Sequence, residues 1–399
     1  MISEVPTNTN LKKPLLGLNT RHRLVMWAIV FVFLVQIIAG TLPFSSVLAA
    51  TTPGVISSFS GVTKIAAGGY HALALKSDGT VWAWGRNDQG QLGDGTTTNR
   101  SSPVQVSGLT NVTDIAAGNL HSLAVKSDGS VWAWGYNASG QLGYTSDCLN
   151  PQTTPVQVSN VTNGSKVAGG FRHSLILRTN SSARAMGMNT DGQLGDNTTT
   201  DACNRVSVSG GYTHSQLAAG AASLHSVSLI GSNVYAWGDN FFGQLGDSTN
   251  TDRHVPTQVS SISTAIAVAA GASHTLAVLN DNTVRAWGSN VSGQVGDGTT
   301  TDRNSPVTVS GLSSITQVSG GAAHSLARKA DNTAWAWGHN LQGQLGDGTT
   351  TSRTTAVQVT GLSSVSVVAV AAGNQFSMAL TSSNTVYTWG DNTYGQLGR

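Results

Sequence analysis

Apolar and polar side chains alternate along many short stretches of this chain, and glycine, asparagine or aspartate separates one stretch from the next. In one such region Leu123 and Val125 alternate with smaller or polar residues, and Val131 and Ala133 resume the alternation after a Ser-Asp-Gly turn at Gly129. Alternation with a period of two is typical of β-strands, and glycine supplies the positive φ that a tight hairpin turn requires. The pattern therefore predicts short antiparallel strands joined by tight turns.

This pattern recurs seven times between residue 51 and the C-terminus. Each copy contains four predicted strands, as in V-T-D-I-A-A, H-S-L-A-V, S-V-W-A-W and P-V-Q-V, and consecutive copies are 50 to 52 residues apart. The landmark of each copy is a glycine that follows tryptophan, or methionine in the third copy: Gly85, Gly135, Gly187, Gly238, Gly288, Gly338 and Gly390. The rungs of an open β-solenoid are usually much shorter, so the predicted fold class is all-β, a seven-bladed β-propeller of four-stranded antiparallel blades.

The two ends of the repeat region complement each other. Pro53 precedes Gly68 by the same 15 residues that separate Pro103 from Gly118, so the segment after Pro53 corresponds to a fourth strand. The chain ends at Arg399, where the fourth strand of the seventh unit is due. We therefore predict that the N- and C-terminal segments close the ring together, which removes exposed strand edges.

The first 50 residues have the composition of an export segment. A basic stretch that ends at Arg23 precedes an apolar run of 16 residues over 24–39, and small residues surround Ala49 and Ala50. The run is short for a membrane span of about 20 residues. Residues 1–50 are therefore either a cleaved signal peptide or a retained N-terminal membrane anchor, and residues 51–399 form the propeller domain. Both alternatives predict an extracellular or cell-envelope location.

Charge excludes one class of partner. Outside the first 50 residues the chain carries 17 basic and 18 acidic side chains. A protein that binds a phosphate backbone needs a basic surplus or a basic stripe. We therefore do not expect nucleic acid as a partner.

Histidine recurs at one position in six of the seven units. A shared metal ion would need its ligands about 2 Å away, and equivalent positions in a wide ring lie too far apart for that. We expect no metal site, and we expect each imidazole to bond backbone groups of its own or a neighbouring blade. The six are His71, His121, His173, His225, His274 and His324. The sequence also lacks a nucleophile elbow, a phosphate loop and an H-E-x-x-H motif, so we expect no catalytic residue, no cofactor and no enzymatic activity.

The two cysteines, Cys148 and Cys203, lie in third-to-fourth-strand loops of adjacent units, each in a stretch that departs from the repeat. Exported proteins oxidise such pairs, which predicts a disulfide; two free thiols are the alternative. The bond would close a loop of 55 residues, worth roughly 4 kcal/mol in the chain-entropy model.

The motifs W-G-x-N-x-x-G-Q-L-G and A-A-G-x-x-H-S-L-A, in units of about 50 residues, resemble the repeat of the regulator of chromosome condensation family. The resemblance covers the chain after the export segment and implies a seven-bladed ring whose sequence repeats are staggered against the blades. Family members include a nucleotide-exchange factor for the GTPase Ran, a plant ultraviolet-B photoreceptor and a secreted bacterial inhibitor of β-lactamases. Export and a neutral body make this chain most similar to the secreted, bacterial type. The resemblance implies recognition of proteins by loops at one face of the ring.

We expect a partner to bind at the positions that vary between units, because the repeated residues build the scaffold. Antiparallel strand order places two sets of variable loops on one face: the turns between first and second strands, and the loops between third and fourth strands. Aromatic residues, leucine and arginine are abundant there, as in protein interfaces. The predicted partner-binding residues are Tyr70, Leu120, Phe171, Arg172, Leu224, Tyr136, Phe241, Phe242, Leu341 and Tyr394. The alternative is that these side chains pack over neighbouring loops.

Three function classes follow. The first is an exported, non-enzymatic module that binds a protein, or alternatively a glycan, as a monomer. The second is a structural or adhesion module of the cell envelope, with the membrane touched only through an uncleaved N-terminal segment. The third is nucleotide exchange on a small GTPase, which rests on the resemblance alone.

Overall fold

The computed structural model describes residues 49–144 and 149–399. Their regular structure is entirely β, and the compact unit that holds it runs from Ala49 to Arg399. The predicted export segment lies outside the described residues except for its last two positions. Within the described part, no helical segment has the length and apolar character that a membrane crossing demands.

The described residues form 28 strands. Those of the first half of the chain are β1 (Ala50–Val55), β2 (Val62–Ala67), β3 (His71–Lys76), β4 (Val81–Gly85), β5 (Arg100–Gln105), β6 (Val112–Ala117), β7 (His121–Lys126), β8 (Val131–Gly135), β9 (Gln152–Gln157), β10 (Gly164–Gly169), β11 (His173–Arg178), β12 (Ala183–Gly187), β13 (Ala202–Ser207) and β14 (Gln216–Ala218). Those of the second half are β15 (His225–Ile230), β16 (Asn233–Gly238), β17 (Arg253–Gln258), β18 (Ala265–Ala270), β19 (His274–Leu279), β20 (Val284–Gly288), β21 (Arg303–Thr308), β22 (Ile315–Gly320), β23 (His324–Lys329), β24 (Ala334–Gly338), β25 (Arg353–Gln358), β26 (Val367–Ala372), β27 (Phe376–Thr381) and β28 (Val386–Gly390).

These strands form seven antiparallel sheets of four strands each, which confirms the predicted blades. Blade 1 is β2-β3-β4-β5, and each following blade takes the next four strands of the chain as far as β25 in blade 6. Each innermost strand contacts the innermost strands of both neighbouring blades, including β26 against β2, so the blades form a closed ring. The innermost strands surround a channel of about 220 Å³.

Ring closure follows the predicted scheme. Blade 7 has the order β26-β27-β28-β1, and β1 pairs antiparallel with β28, with Gly54 opposite Thr388. The segment after β1 continues into the core, where Ile56 and Phe59 are buried. The N-terminal segment therefore supplies the outermost strand of the last blade.

Apolar clusters between adjacent blades form the core. In one of them Leu73, Val81 and Leu92 of blade 1 pack against Ile115 and Trp134 of blade 2. Trp134 is fully buried, and its indole N–H donates to the backbone carbonyl of Gln91 in blade 1 at 2.9 Å. The landmark tryptophan therefore fills the wedge between two blades with its N–H bonded, as large amphipathic rings do when buried.

The six recurring histidines also join adjacent blades; we call them the histidine belt. His71 Nε2 lies 2.9 Å from Ser122 Oγ of the next blade, and Ser122 Oγ donates to the carbonyl of Gln91. Because the hydroxyl proton is used in that bond, the imidazole must donate through Nε2. The other five belt residues contact Ser174, Ser226, Thr275, Ser325 and Ser377 in the same way.

The neighbouring blade was expected correctly, but the group that each Nε2 contacts is a hydroxyl and not a backbone group. Backbone carbonyls are the most numerous acceptors in every blade. The hydroxyl belongs to the residue that directly follows the histidine position of the next blade, as Ser122 follows His121. In the described residues no group of three or more His, Cys, Asp or Glu side chains is arranged to hold a metal ion.

The seam between blades 7 and 1 lacks this polar bridge. Phe376 occupies the histidine position of blade 7, and Ala72 occupies the hydroxyl position of blade 1; both are fully buried in one apolar cluster. The two replacements are matched, since a buried imidazole without a hydroxyl partner would leave a polar group unsatisfied. The carbonyl of Gln396 at this seam still accepts the indole N–H of Trp84 at 3.0 Å.

This matching gives a testable result. We expect Phe376→His alone to lower the free energy of unfolding by about 1–3 kcal/mol, because the imidazole N–H is buried without an acceptor. Ala72→Ser in the same chain should recover at least about 1 kcal/mol of that loss, with the new hydroxyl bridging to the Gln396 carbonyl. Urea unfolding of the wild type, both single variants and the double variant measures the coupling. Additive effects of the two substitutions would contradict the bridge.

Candidate protein-binding face

The two sets of variable loops lie at the same end of every blade. The backbone N–H of Arg86, which directly follows β4, donates to the carbonyl of Tyr70 in the turn before β3 at 2.9 Å. Tyr136 to Leu120 and Met188 to Arg172 repeat this bond at 2.8 Å in blades 2 and 3. We call this end of the ring, made of the first-to-second-strand turns and the third-to-fourth-strand loops, the loop face.

The long loops are held by the recurring asparagine. Asn87 is fully buried; its Oδ1 accepts from the backbone N–H of Leu92, and its Nδ2 donates to the carbonyls of Thr96 and Thr98. The asparagine side chain thus bonds backbone groups within its own loop. Asn87 does not adopt the left-handed conformation that asparagine tolerates in turns, since the positive-φ residues do not include it.

Aspartate and arginine brace the same loop from outside. Asp94 accepts from Thr96, and its other oxygen accepts from Arg100 Nε at 2.9 Å. Burial opposes the charge of Asp94, but hydrogen bonds from Thr96 and Arg100 outweigh it and lower the pKa of the carboxyl. Asp94, Thr96 and Arg100 therefore brace this loop.

Seven of the ten predicted binding residues form three groups on this face. Tyr70 and Tyr394 stack edge to face at 5.5 Å between centroids. Arg172 lies 5.1 Å from the ring centroid of Tyr136 and 5.2 Å from that of Phe171. The third group is the edge-to-face pair of Phe241 and Phe242, with centroids 4.9 Å apart.

Exposure separates the predicted residues further. Phe241 and Leu341 are 41% and 54% exposed, whereas Tyr70, Leu120 and Leu224 are half-buried. Tyr136, Phe171, Arg172, Phe242 and Tyr394 are half-buried as well. Much of the predicted set thus packs within the loop face, and only part of its area is available to a partner. Phe376, which replaces the recurring histidine in the seventh unit, belongs to the core.

Sequence reasoning missed one exposed residue of this face. Val291 is 65% exposed and directly follows the recurring asparagine of blade 5, as Phe241 and Leu341 do in blades 4 and 6. We call these three residues the apolar arc. All three residues occupy the same repeat position, and this shared position could have indicated Val291. A valine was not among the residue types taken as typical of protein interfaces.

The predicted disulfide stays a prediction. Cys203 lies in β13, half-buried, and packs against Gly140 of the preceding blade. Cys148 lies outside the described residues.

The scaffold and the loop face define a seven-bladed β-propeller in which repeated residues build the ring and varied residues gather at one end. The sequence matches the RCC1-like domain over residues 39–365 and a regulator of chromosome condensation (RCC1) repeat over residues 367–396. The chain belongs to this RCC1-like family, which confirms the resemblance drawn from its motifs.

Two curated relatives illustrate the family's range. The chain is 34% identical over 226 residues to the ultraviolet-B receptor UVR8 of Arabidopsis thaliana, covering 54% of this chain and 51% of that protein. It is 38% identical over 229 residues to the probable E3 ubiquitin-protein ligase HERC4 of Homo sapiens, covering 55% of this chain and 21% of that protein. The chain therefore spans about half of the first relative and a fifth of the second.

Solved structures support the fold. Human WBSCR16 superposes with a TM-score of 0.74 at 21% identity, covering 86% of this chain and 89% of that one. Prp20p of Saccharomyces cerevisiae, described together with its binding to Gsp1p and histones, has a TM-score of 0.71 at 24% identity and covers 84% of each chain. At these identities the likeness shows the fold.

Proposed function

We propose that this chain is an exported, non-enzymatic binding module that recognises a protein partner through its loop face. Family membership supports the binding role, since Prp20p is described with its binding to Gsp1p and histones. Export rests on the basic and apolar pattern of residues 1–50.

The apolar arc is the observation that carries this proposal. It places a large apolar side chain at one loop position in three consecutive blades, with exposures of 41%, 65% and 54% for Phe241, Val291 and Leu341. Scattered apolar residues are normal on a protein surface, but apolar groups gathered in one region mark interaction sites. Aromatic and arginine side chains elsewhere on the loop face, such as Tyr136 and Arg172, are of the types that anchor protein interfaces.

A capture experiment tests this function. The tagged full-length chain is incubated with extracellular and envelope fractions of the producing cells, beside a Val291→Ser/Leu341→Ser variant. We expect the variant to recover the specific partner at least about tenfold less, because two exposed anchors of the interface are lost. Both substituted residues are exposed, so the melting temperature should change by no more than about 2 °C.

The matched control is Ile266→Ser. Ile266 is also apolar and 49% exposed, but it lies near the start of the innermost strand of blade 5, at the end opposite the loop face. Equal recovery of partners by wild type and the arc variant would contradict the assignment of the loop face. Detection of the chain only in the cytosolic fraction would contradict export.

A further inference from the structure

Two arginines of the loop face are stacked on aromatic rings. Among the described residues, only one of the two forms an ion pair with a carboxylate. Arg86 lies 5.0 Å from the ring centroid of Tyr394 and 5.8 Å from that of Tyr70. Its guanidinium also forms a two-pronged pair with Asp88, with Nε to Oδ1 at 2.8 Å and Nη2 to Oδ2 at 2.6 Å. An arginine fork and a carboxylate match in this geometry, which makes such pairs strong and specific.

Arg172 has the rings but lacks the carboxylate. It is half-buried between Tyr136 and Phe171, at the seam of blades 2 and 3. In the described part of the chain, the contacts of its guanidinium are with these two rings, and it has no hydrogen bond or ion pair there. The guanidinium has five N–H donors in a planar fork, and none of them has an acceptor among the described residues. This geometry matches a planar anion such as a carboxylate.

The turn that carries Arg172 is braced. The backbone N–H of Phe171 donates to the carbonyl of Ser223 in blade 4 at 2.9 Å, and the carbonyl of Arg172 accepts from the N–H of Met188 at 2.8 Å. The guanidinium therefore stands on a fixed backbone, which reduces the entropy lost on binding.

The same seam carries a second unmet donor. In blades 4 and 7 the glutamine of the G-Q-L-G motif donates to an aspartate five residues earlier: Gln244 to Asp239 at 2.7 Å and Gln396 to Asp391 at 2.6 Å. In blade 2 the residue five positions before Gln141 is Tyr136, and the buried Nε2 of Gln141 has no partner among the described residues. The Nε2 atoms of the equivalent glutamines Gln91 and Gln193, in blades 1 and 3, also lack a partner among the described residues. At this loop position blades 1 to 3 therefore lack the carboxylate that blades 4 and 7 carry, and Arg172 lies on that side of the ring.

We propose that the Arg172 seam, formed by Arg172, Tyr136 and Phe171, binds an aspartate or glutamate side chain of a partner protein. This rests on the proposed function and names the chemistry of the group that the loop face selects. The partner's carboxylate takes the place that Asp88 takes on Arg86, and its neighbouring residues extend over the face toward the apolar arc.

A phage-displayed library of random 12-residue peptides, selected on the immobilised full-length chain, supplies the probe. We expect the enriched peptides to share an acidic residue at a fixed position. For a synthetic enriched peptide, replacing this Glu by Gln should weaken binding to the wild type by about tenfold or more, as measured by fluorescence polarisation. The same replacement in the peptide should change binding to the Arg172→Gln variant by less than about twofold, because this variant lacks the guanidinium that would bind the carboxylate.

Two further variants sharpen the result. Arg172→Lys keeps the charge but loses the planar fork and its stacking, so its affinity should fall between those of wild type and Arg172→Gln. Arg285→Gln removes a half-buried arginine from β20, on the flank of blade 5, and should bind the peptide as the wild type does.

The outcomes separate the two proposals. Enriched peptides that bind through Leu341 but ignore Arg172, or that share no acid, overturn the carboxylate site and leave the loop face as a protein-binding surface. A library in which no enriched peptide depends on Leu341 or on Arg172 contradicts both.

Discussion

Deleting residues 51 to 60 should lower the melting temperature by at least about 10 °C. The deletion removes most of β1, which completes blade 7 by pairing with β28, and it removes Ile56 and Phe59, which are 2% and 7% exposed. Each of these two side chains contributes about 2 kcal/mol by burial. Their loss also uncovers Trp84, since Phe59 stacks edge to face on its ring at 5.7 Å. Thermal unfolding followed by circular dichroism measures the effect.

Point variants test whether closure or mere chain length is responsible. Phe59→Ser should reproduce a large part of the loss, because it empties the seam between blades 7 and 1. Val55→Ser is the matched control, since Val55 is 41% exposed at the end of β1, just before the segment that carries Phe59. An unchanged melting curve for the deletion would show that the ring closes without this segment.

The architecture was predictable because each blade repeats one alternation of apolar and polar residues. The phase of that repeat at Pro53 and at Arg399 was enough to predict how blade 7 is completed, since a strand missing at one end appeared at the other. Local pattern and global fold agree in this chain, as is general for sequences that specify one structure.

The contacts between blades were not predictable from one repeat unit. His71 finds its hydroxyl at Ser122, 51 residues away, and nothing local to the histidine indicates that distance. The pairing could have been found by aligning the seven copies, because the copy with Phe376 is followed around the ring by the one with Ala72. Such a comparison detects matched replacement within a single chain.

The loop face was predictable as a location but not in its detail. Antiparallel order alone places both loop sets at one end, whereas side-chain packing decides which residues remain exposed. Tyr70 and Tyr394 lie far apart in sequence and stack only because the ring closes. A half-buried stack and an exposed valine look alike in sequence terms, which is why Val291 was missed.

The second large effect is acid unfolding driven by the histidine belt. Burial lowers the pKa of each belt histidine: to about 3 for His71, His173, His225 and His324, and to about 4 for His121 and His274. An unfolded histidine takes up its proton near pH 6.5. Below that pH the belt histidines are protonated in the unfolded chain but remain neutral in the folded chain. Their contribution to the free energy of unfolding is therefore fully present above about pH 6.5 and is lost as the pH falls toward 4 and 3.

The magnitude makes this the dominant acid response. Each pH unit within the window costs about 1.4 kcal/mol for each histidine, so the belt loses about 8 kcal/mol by pH 5.5. That is comparable with the whole stability of an ordinary domain. We therefore expect an unfolding midpoint between about pH 5 and 6, measured by tryptophan fluorescence in a pH series. Equal urea midpoints at pH 7.5 and 5.5 would contradict this mechanism.

The loop aspartates do not explain a transition in that range. The pKa of Asp94 and of Asp347 is lowered by hydrogen bonds from threonine and arginine that outweigh burial. A depressed carboxyl pKa contributes stability that is lost only as the pH falls below about 4. Unfolding that begins above pH 5 must therefore come from side chains whose pKa in the unfolded chain is near 6.5, which are the histidines.

A variant copied from the chain's own seam isolates the belt. His324→Phe with Ser377→Ala reproduces at blades 6 and 7 the apolar pair that Phe376 and Ala72 form at blades 7 and 1. Burial also lowers the pKa of His214, to about 4, and that of His339. The double variant removes one of these eight titrations, so the slope of unfolding free energy against pH between 6 and 5 should fall by about an eighth. An unchanged slope in the double variant would mean that the protons taken up on unfolding bind to groups other than the belt histidines.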